Sequence, residues 1–218
     1  HDARVSPNYV TVLCLLKACS HAKAIEEGML LHALVIVEMI KSNHSSLLNT
    51  LIHMYCNCGC LEEAQQTFNN LVEKNVISWG VMIGGYVEVG DGHSALHLLE
   101  EMENEGMKAN DTIYVCSLKA CGMIGDLSKG MHLLNEIVKL GCEKSVIVGS
   151  TLVDMYARCG RLAEACKVFE DLPERNVVTW AAIIGGLAEQ GHGYLSLQLF
   201  ENMQHDAAHL EPDRVIYL

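Results

Sequence analysis

Three cysteines crowd into five residues of this sequence, Cys56, Cys58 and Cys60 in "CNCGC", and invite a reading as metal ligands. Structural zinc needs four nitrogen or sulfur donors, usually as two closely spaced pairs. Steps of two residues point these thiols in different directions at a helix end, and no second thiol or histidine pair has matching spacing. A second copy of the stretch keeps only Cys159. No metal site and no cofactor are therefore expected. The eleven histidines are scattered, and His93 and His192 read as solvated loop residues. A nucleobase deaminase needs H-x-E followed by P-C-x-x-C, and no C-x-x-C occurs. Nor does a phosphate-binding glycine loop or a nucleophile elbow. The segment reads as a non-enzyme. What remains is hydrogen-bonding chemistry. Asn75, Asn110 and Asn176 recur at one slot of a repeating pattern, and an amide both donates and accepts. Asn is common in loops for conformational reasons alone, so the recurrence is what points to a role.

The elements that position these residues follow from the repeat. The two tryptophans, Trp79 and Trp180, stand 101 residues apart in "ISWGVMIGGY" and "VTWAAIIGGL". The same offset aligns "NTLIHMYCNCGCLEEA" with "STLVDMYARCGRLAEA", and "LVEKNVISW" with "LPERNVVTW". Each long period divides into three units, for example 76–110, 111–145 and 146–176, of 35, 35 and 31 residues. In the last of these, Leu162, Ala165, Phe169 and Leu172 share one helical face. Gly59, Gly90, Gly125, Gly160 and Gly191 stand where a left-handed residue closes the first helix of a unit, and Lys23 fills that slot in the first unit. A two-helix unit cannot bury its own apolar face, so neighbours must stack. The fold expected is all-α, a right-handed superhelical solenoid of helix-turn-helix repeats. Its concave surface is lined by first helices, with Trp79 and Trp180 in the inter-repeat core.

Composition agrees with a folded chain: half of the 218 residues are hydrophobic. No apolar run approaches a membrane span, so no membrane partner is expected. A net charge of −12 argues against a clamp that holds nucleic acid by a basic surface. The ten cysteines, in helical surroundings with no signal peptide before them, read as reduced thiols of an intracellular or organellar compartment. The chain opens at His1, and Arg214–Leu218 reads as the start of another unit. A segment of a longer protein is expected, with any targeting peptide outside it.

Alternating 35-, 35- and 31-residue helical hairpins resemble the pentatricopeptide repeat family, in its plant-type P, L and S triplets. "VISWGVMIGGYVEVG" and "VVTWAAIIGGLAEQG" carry the resemblance for P, "SLKACGMIGDLSKG" for L, and "STLVDMYARCGRLAEACKVFEDLPERNV" for S. The units form one array: L at 9–44, S at 45–75, P at 76–110, L at 111–145, S at 146–176, P at 177–213, and the start of an L at 214–218.

The resemblance implies a tape along single-stranded RNA, about one base per repeat, each base read by two or three side chains. The fifth and last residues of a unit are the readers it implies. They are Asn49 with Asn75, Ser150 with Asn176, Gly80 with Asn110, Ala181 with Asp213, and Val115 with Ser145. Leu13 holds the fifth position of the first unit. Gly80 and Ala181 stand where P units usually carry a polar side chain, so two pairs, Asn49/Asn75 and Ser150/Asn176, look fully equipped. Ile77, Ile147 and Val178, second in their units, would pack against base faces.

The function this implies is a sequence-selective RNA-binding module of a mitochondrial or chloroplast RNA-processing factor, one directing C-to-U editing. Editing accessory proteins or a deaminase domain would be its partners. The alternative is a protein–protein scaffold of the tetratricopeptide kind, against which the 35, 35, 31 alternation counts and for which the acidic charge speaks. A third reading is a degenerate fragment that binds nothing.

Overall fold

The computed structural model describes residues 8–39, 45–141 and 145–206. Those residues form twelve α-helices joined by short turns, and no strand occurs among them. Three hairpins occupy the first half: α1 (Tyr9–Ala22) with α2 (Ile25–Met39), α3 (Ser45–Asn57) with α4 (Leu61–Asn69), and α5 (Val76–Glu88) with α6 (Gly92–Asn104). Three follow: α7 (Asp111–Ile124) with α8 (Leu127–Lys139), α9 (Val146–Arg158) with α10 (Leu162–Asp171), and α11 (Val177–Glu189) with α12 (Gly193–Asp206). None of the twelve is long and apolar enough to cross a membrane.

The helices gather into two compact units, His1–Ala109 and Asn110–Leu218. In the first, α1 packs on α3 and α3 on α5; in the second, α7 packs on α9 and α9 on α11. Each of α4 and α10 packs on the first helix of its own hairpin and touches the first helix of the next. The first helices are thus covered on several sides, which is why α5 and α11 are apolar around most of their circumference. Stacked hairpins are the architecture that the repeat requires.

Local signals set the helix ends. Asn8, Asn75, Asp91, Asn110, Asp126 and Asn176 each accept a backbone N–H of the first turn that follows, supplying one of the donors a helix start leaves unpaired. Gly125 and Gly160 take positive φ at the turn, and Lys23 takes φ 53° in the same slot at the end of α1. A residue with a Cβ pays for that conformation, whereas glycine does not.

Both tryptophans are buried, each edge-on to a phenylalanine of the preceding second helix. Phe68 and Trp79, and likewise Phe169 and Trp180, have ring centroids 4.8 Å apart and planes 75° apart. A cation covers each pair from the connecting loop: Lys74 Nζ lies 5.2 Å from the Phe68 ring, and the Arg175 guanidinium 4.9 Å from Phe169. Arg175 also donates to the carbonyls of Phe169 and Glu170, satisfying acceptors at the end of α10. Small residues let the first helices close up. A Cβ on Gly85 would run into Sγ of Cys56, and one on Gly186 into the Ala157 side chain.

Candidate nucleic-acid interface

The recurrent asparagines are helix caps. Asn75 Oδ1 accepts from Ser78 N at 3.0 Å, Asn110 Oδ1 from Ile113 N at 3.0 Å, and Asn176 Oδ1 from Thr179 N at 2.9 Å. For Asn75 and Asn176 the cap is reciprocal, the third helical residue bonding back to the cap backbone through its hydroxyl. The last residue of one unit is thereby fixed to the first helix of the next. Its carbonyl oxygen faces the helix, and its Nδ2 takes no part in the cap. A capped asparagine presents a donor.

Ser145, last in its unit, stands before α9 with no side-chain cap bond and is exposed. Asp213 lies outside the described residues. Asn8 was not among the sequence candidates, yet it caps α1 in the same way, its Oδ1 2.9 Å from Thr11 N. The signal was present, since Asn8 immediately precedes a unit as Asn75, Asn110 and Asn176 do.

The fifth positions divide by chemistry. Leu13, Gly80, Val115 and Ala181 are half-buried and bring no polar side-chain atom. Asn49 is 8% exposed, and its Oδ1 is buried without a hydrogen-bond partner. Ser150 is also buried but well supplied: its Oγ lies 2.7 Å from Val146 O and 2.6 Å from Thr179 Oγ1.

The second residues of the units stand clear of the protein. Ile77, Ile147 and Val178 are 60–65% exposed, and Val10, second in the first unit and also missed as a candidate, is 62% exposed. Exposed β-branched aliphatics in the first turn of a helix, in four of the six hairpins, contribute nothing to the core.

Two clefts in the second unit assemble these residues. One of about 320 Å³ is lined by Thr112, Val115, Ser145 and Ile147, so it gathers the fifth and last residues of unit 111–145 with the second residue of the next. The other, about 270 Å³, is lined by Ser150, Val178 and Ala181 together with Ala182 and Gly185. Its charged lining is Lys119, Asp154, Arg158 and Glu189. Arg158 is bound to Asp154 at 3.0 Å, and that carboxylate raises the guanidinium pKa above its ordinary value. Its positive charge is thus largely offset by a neighbour.

Among the described residues no group of three or more His, Cys, Asp or Glu side chains could hold a metal ion. Within "CNCGC", Cys56 is a packing residue under Gly85, and burial pushes its thiol up to about 12. A thiol so rarely ionised is a poor ligand and a poor nucleophile. Half of the deaminase signature does occur in the sequence, as His209-Leu210-Glu211. It lies outside the described residues, and no C-x-x-C accompanies it.

Stacked hairpins with regularly spaced capping asparagines define a helical repeat protein. The family model for the PPR repeat matches residues 46–76, 77–107, 150–177 and 178–206, together more than half of the sequence. The chain belongs to the pentatricopeptide repeat family. It is 35% identical over 211 residues to a chloroplastic pentatricopeptide repeat-containing protein of Arabidopsis thaliana, covering 97% of this chain and 34% of that protein. To a mitochondrial one of the same plant it is 35% identical over 201 residues, covering 91% of this chain and 29% of that one. The chain thus spans about a third of the length of these curated relatives. Among solved structures it is similar to the pentatricopeptide repeat protein PPR10 in complex with an 18-nt psaJ RNA element, at TM-score 0.48 and 17% identity, over 97% of this chain and 42% of that one.

Proposed function

We propose that the chain is a sequence-selective single-stranded RNA-binding array of the P, L and S kind. In this reading it is the base-reading part of an organellar factor that directs C-to-U editing. The observation that carries the reading is the pairing, at the start of three of the six hairpins, of a capping asparagine with an exposed aliphatic residue two positions on. Asn8/Val10, Asn75/Ile77 and Asn176/Val178 repeat it. A splayed base offers what both groups lack: a flat apolar face for the aliphatic, and a polar edge for the amide. Repeats of this family read about one base each with two or three side chains. The readers proposed are Asn49 with Asn75, Ser150 with Asn176, and, with one polar partner each, Gly80 with Asn110, Ala181 with Asp213, and Val115 with Ser145. Editing accessory proteins or a deaminase domain would supply the chemistry. Relatives named chloroplastic and mitochondrial support an organelle as the site of action.

The net charge of −12 fits a protein–protein scaffold as readily, and it makes a distinct demand on the RNA reading. With few cations at the clefts, affinity must come from stacking and edge contacts, so its dependence on salt is expected to be shallow. Selection of binders from a randomised single-stranded RNA pool tests the proposal. An enriched motif of several bases, absent when the same pool is made as DNA, supports it. A pool that stays random sinks it and leaves the scaffold.

A further inference from the structure

One corner of the first unit copies a corner of the second and changes its charges. In the second unit Arg158 ends α9, and its Nε donates to both oxygens of Asp154, each at 3.0 Å. Its stem crosses α7 at Gly122, where a Cβ would lie 3.4 Å from Arg158 Cδ. Glu189, the last residue of α11, adds its field to that of Asp154 on the guanidinium. One arginine thereby serves a helix end and two carboxylates. The C-terminal end of an α-helix carries roughly −0.5 of an elementary charge, so a cation there is stabilised.

In the first unit the super-repeat places Asn57 at the position of Arg158, His53 at that of Asp154, Ser20 at that of Gly122 and Glu88 at that of Glu189. Of the charged residues only the glutamate is kept. Asn57 Nδ2 donates to Ser20 Oγ at 2.7 Å, and His53 Nδ1 lies 3.4 Å from the same oxygen. The shorter side chain is thus held against α1. Neither α3 nor α5 has a basic residue in its last turn, and among the described residues no ion pair forms to Glu88. A pocket of about 480 Å³ opens here, larger than either cleft at the base-reading positions. Ser20, Asn57, Cys58 and Glu88 line it, with His21 and Lys23 on the side of α1. Asn8 and Asn75 stand at the opposite ends of α1 and α5, so the pocket is separate from the base readers.

Electrostatics select the ligand. The lining holds one carboxylate, Glu88, and the carbonyl ends of α1, α3 and α5, against one lysine, Lys23. The balance is negative, so a cation is favoured over an anion such as phosphate. A guanidinium fits better than an ammonium. Its planar fork grips a carboxylate with two N–H groups, and its remaining donors suit the carbonyls that a helix end leaves unpaired. It is also more weakly hydrated, so it gives up less on leaving water. We infer that this pocket is a guanidinium site that takes an arginine side chain of a partner polypeptide, with Glu88 as its carboxylate. The partner's arginine does for the first unit what Arg158 does within the second. The pocket opens to solvent and exceeds one side chain in volume, so the residues flanking that arginine enter with it.

The test titrates the full chain, without RNA, with the peptide acetyl-Ala-Arg-Ala-amide in a calorimeter. The same peptide with lysine, free ethylguanidinium and inorganic phosphate are the other probes. The arginine peptide is expected to bind one to one, with the lysine peptide about tenfold weaker, the scale of a bidentate charged contact. Ethylguanidinium is expected to compete for the site but more weakly than the peptide. Glu88→Gln is expected to weaken the arginine peptide about tenfold, and Lys23→Gly, which removes the opposing charge, to tighten it severalfold. Asn57→Arg, which copies the second unit, is expected to abolish binding. Glu88 and Lys23 are both exposed, so these variants are expected to keep the helicity of the wild type, checked by circular dichroism. No binding at about 1 mM peptide overturns the inference, as does a lysine peptide that binds equally well. Phosphate binding that Lys23→Gly weakens and Glu88→Gln strengthens overturns it in favour of an anion site. Ethylguanidinium that binds as tightly as the peptide overturns the polypeptide partner and assigns the pocket to a free small molecule.

Discussion

Asn49 and Ser150 hold the same place in two repeats 101 residues apart, and their surroundings treat them differently. Around them the backbone is copied closely: α3 and α9 have the same length, the Phe–Trp pairs share their geometry, and Asn75 and Asn176 make the same reciprocal cap. The side-chain network is not copied. Ser150 Oγ has two oxygens within hydrogen-bond distance, Val146 O and Thr179 Oγ1, whereas Asn49 buries a carbonyl oxygen with no donor to it. A repeat conserves what stacking needs, because every hairpin must bury the same face. It leaves hydrogen bonding at the cleft to vary unit by unit, and that variation is where selectivity can reside.

The largest effect that separates the two copies is expected in the core. Trp180→Ala removes a buried indole and is expected to cost about 3–5 kcal/mol in denaturant unfolding. Trp79→Ala is expected to cost less, because Trp79 Nε1 is buried without a partner, and truncation also relieves a desolvation penalty of about 1–3 kcal/mol. Equal costs would show that the orphaned N–H is not paid for in the folded chain, and a Trp180→Ala cost below about 1 kcal/mol would contradict the packing itself.

Base choice comes next. Asn176→Asp keeps an oxygen for the cap but presents a second oxygen where Nδ2 stood, so a donor becomes an acceptor. The preference of repeat 146–176 is expected to move from adenine toward guanine by roughly 1–3 kcal/mol, read in competition binding at one salt concentration. Thermal stability is expected to hold, since Asp caps a helix about as well as Asn. At repeat 45–75 the bulkier Asn49 is expected to favour a pyrimidine. Identical base rankings for wild type and variant would remove Asn176 from the readers.

A smaller difference lies at the first turns. Lys23 closes α1 in the left-handed conformation that Gly125 adopts at the end of α7. Lys23→Gly is expected to stabilise the first unit by up to about 1 kcal/mol, whereas Gly125→Ala is expected to destabilise the second by a similar amount. Opposite signs in paired thermal melts are the result to look for; the same sign would refute the account.

The smallest effect is expected with pH. Burial holds His32 and His53 below the ordinary imidazole value, and His32 Nδ1 lies 2.7 Å from the Tyr55 hydroxyl. In the second unit the corresponding hydroxyl, Tyr156, meets the sulfur of Met131, which does not titrate. As pH falls through about 6.5 the unfolded chain takes up protons that the folded first unit resists, so stability is lost on the acid side and is flat above it. His32→Leu, the residue type at the corresponding position 134 of the second unit, is expected to shrink that loss in melts taken between pH 7.5 and 5.5, at about one unit either side of the ordinary value. An unchanged slope would assign the acid sensitivity elsewhere.

Most of the fold was legible in the sequence, and for a local reason. A 3.6-residue period marks which face a helix buries, Gly160 marks where the chain must turn left-handed, and the spacing of Trp79 and Trp180 marks the super-repeat. Even Lys23, with the wrong residue type for its φ, was given away by its slot. Asn8 and Val10 were equally legible and show that a repeat pattern has to be read to its first unit. The candidate site was legible only as a set of positions. That Asn75, Asn110 and Asn176 are caps follows from their place before a helix, but which atom of the amide faces outward follows from the bond the cap makes.

What the sequence determined by itself is the hairpin, its length, its ends and the face it must bury, since each depends on residues within a few positions of one another. What only the tertiary structure decided is who meets whom between hairpins. Ser150 and Thr179 are 29 residues apart and touch because α9 and α11 close to the distance that Gly186 and Ala157 allow. Asn49 faces the same kind of interface one super-repeat earlier and finds no donor. Hydrogen bonds of this sort are decided by tenths of an ångström in how two helices pack, and no periodicity along one chain records that distance.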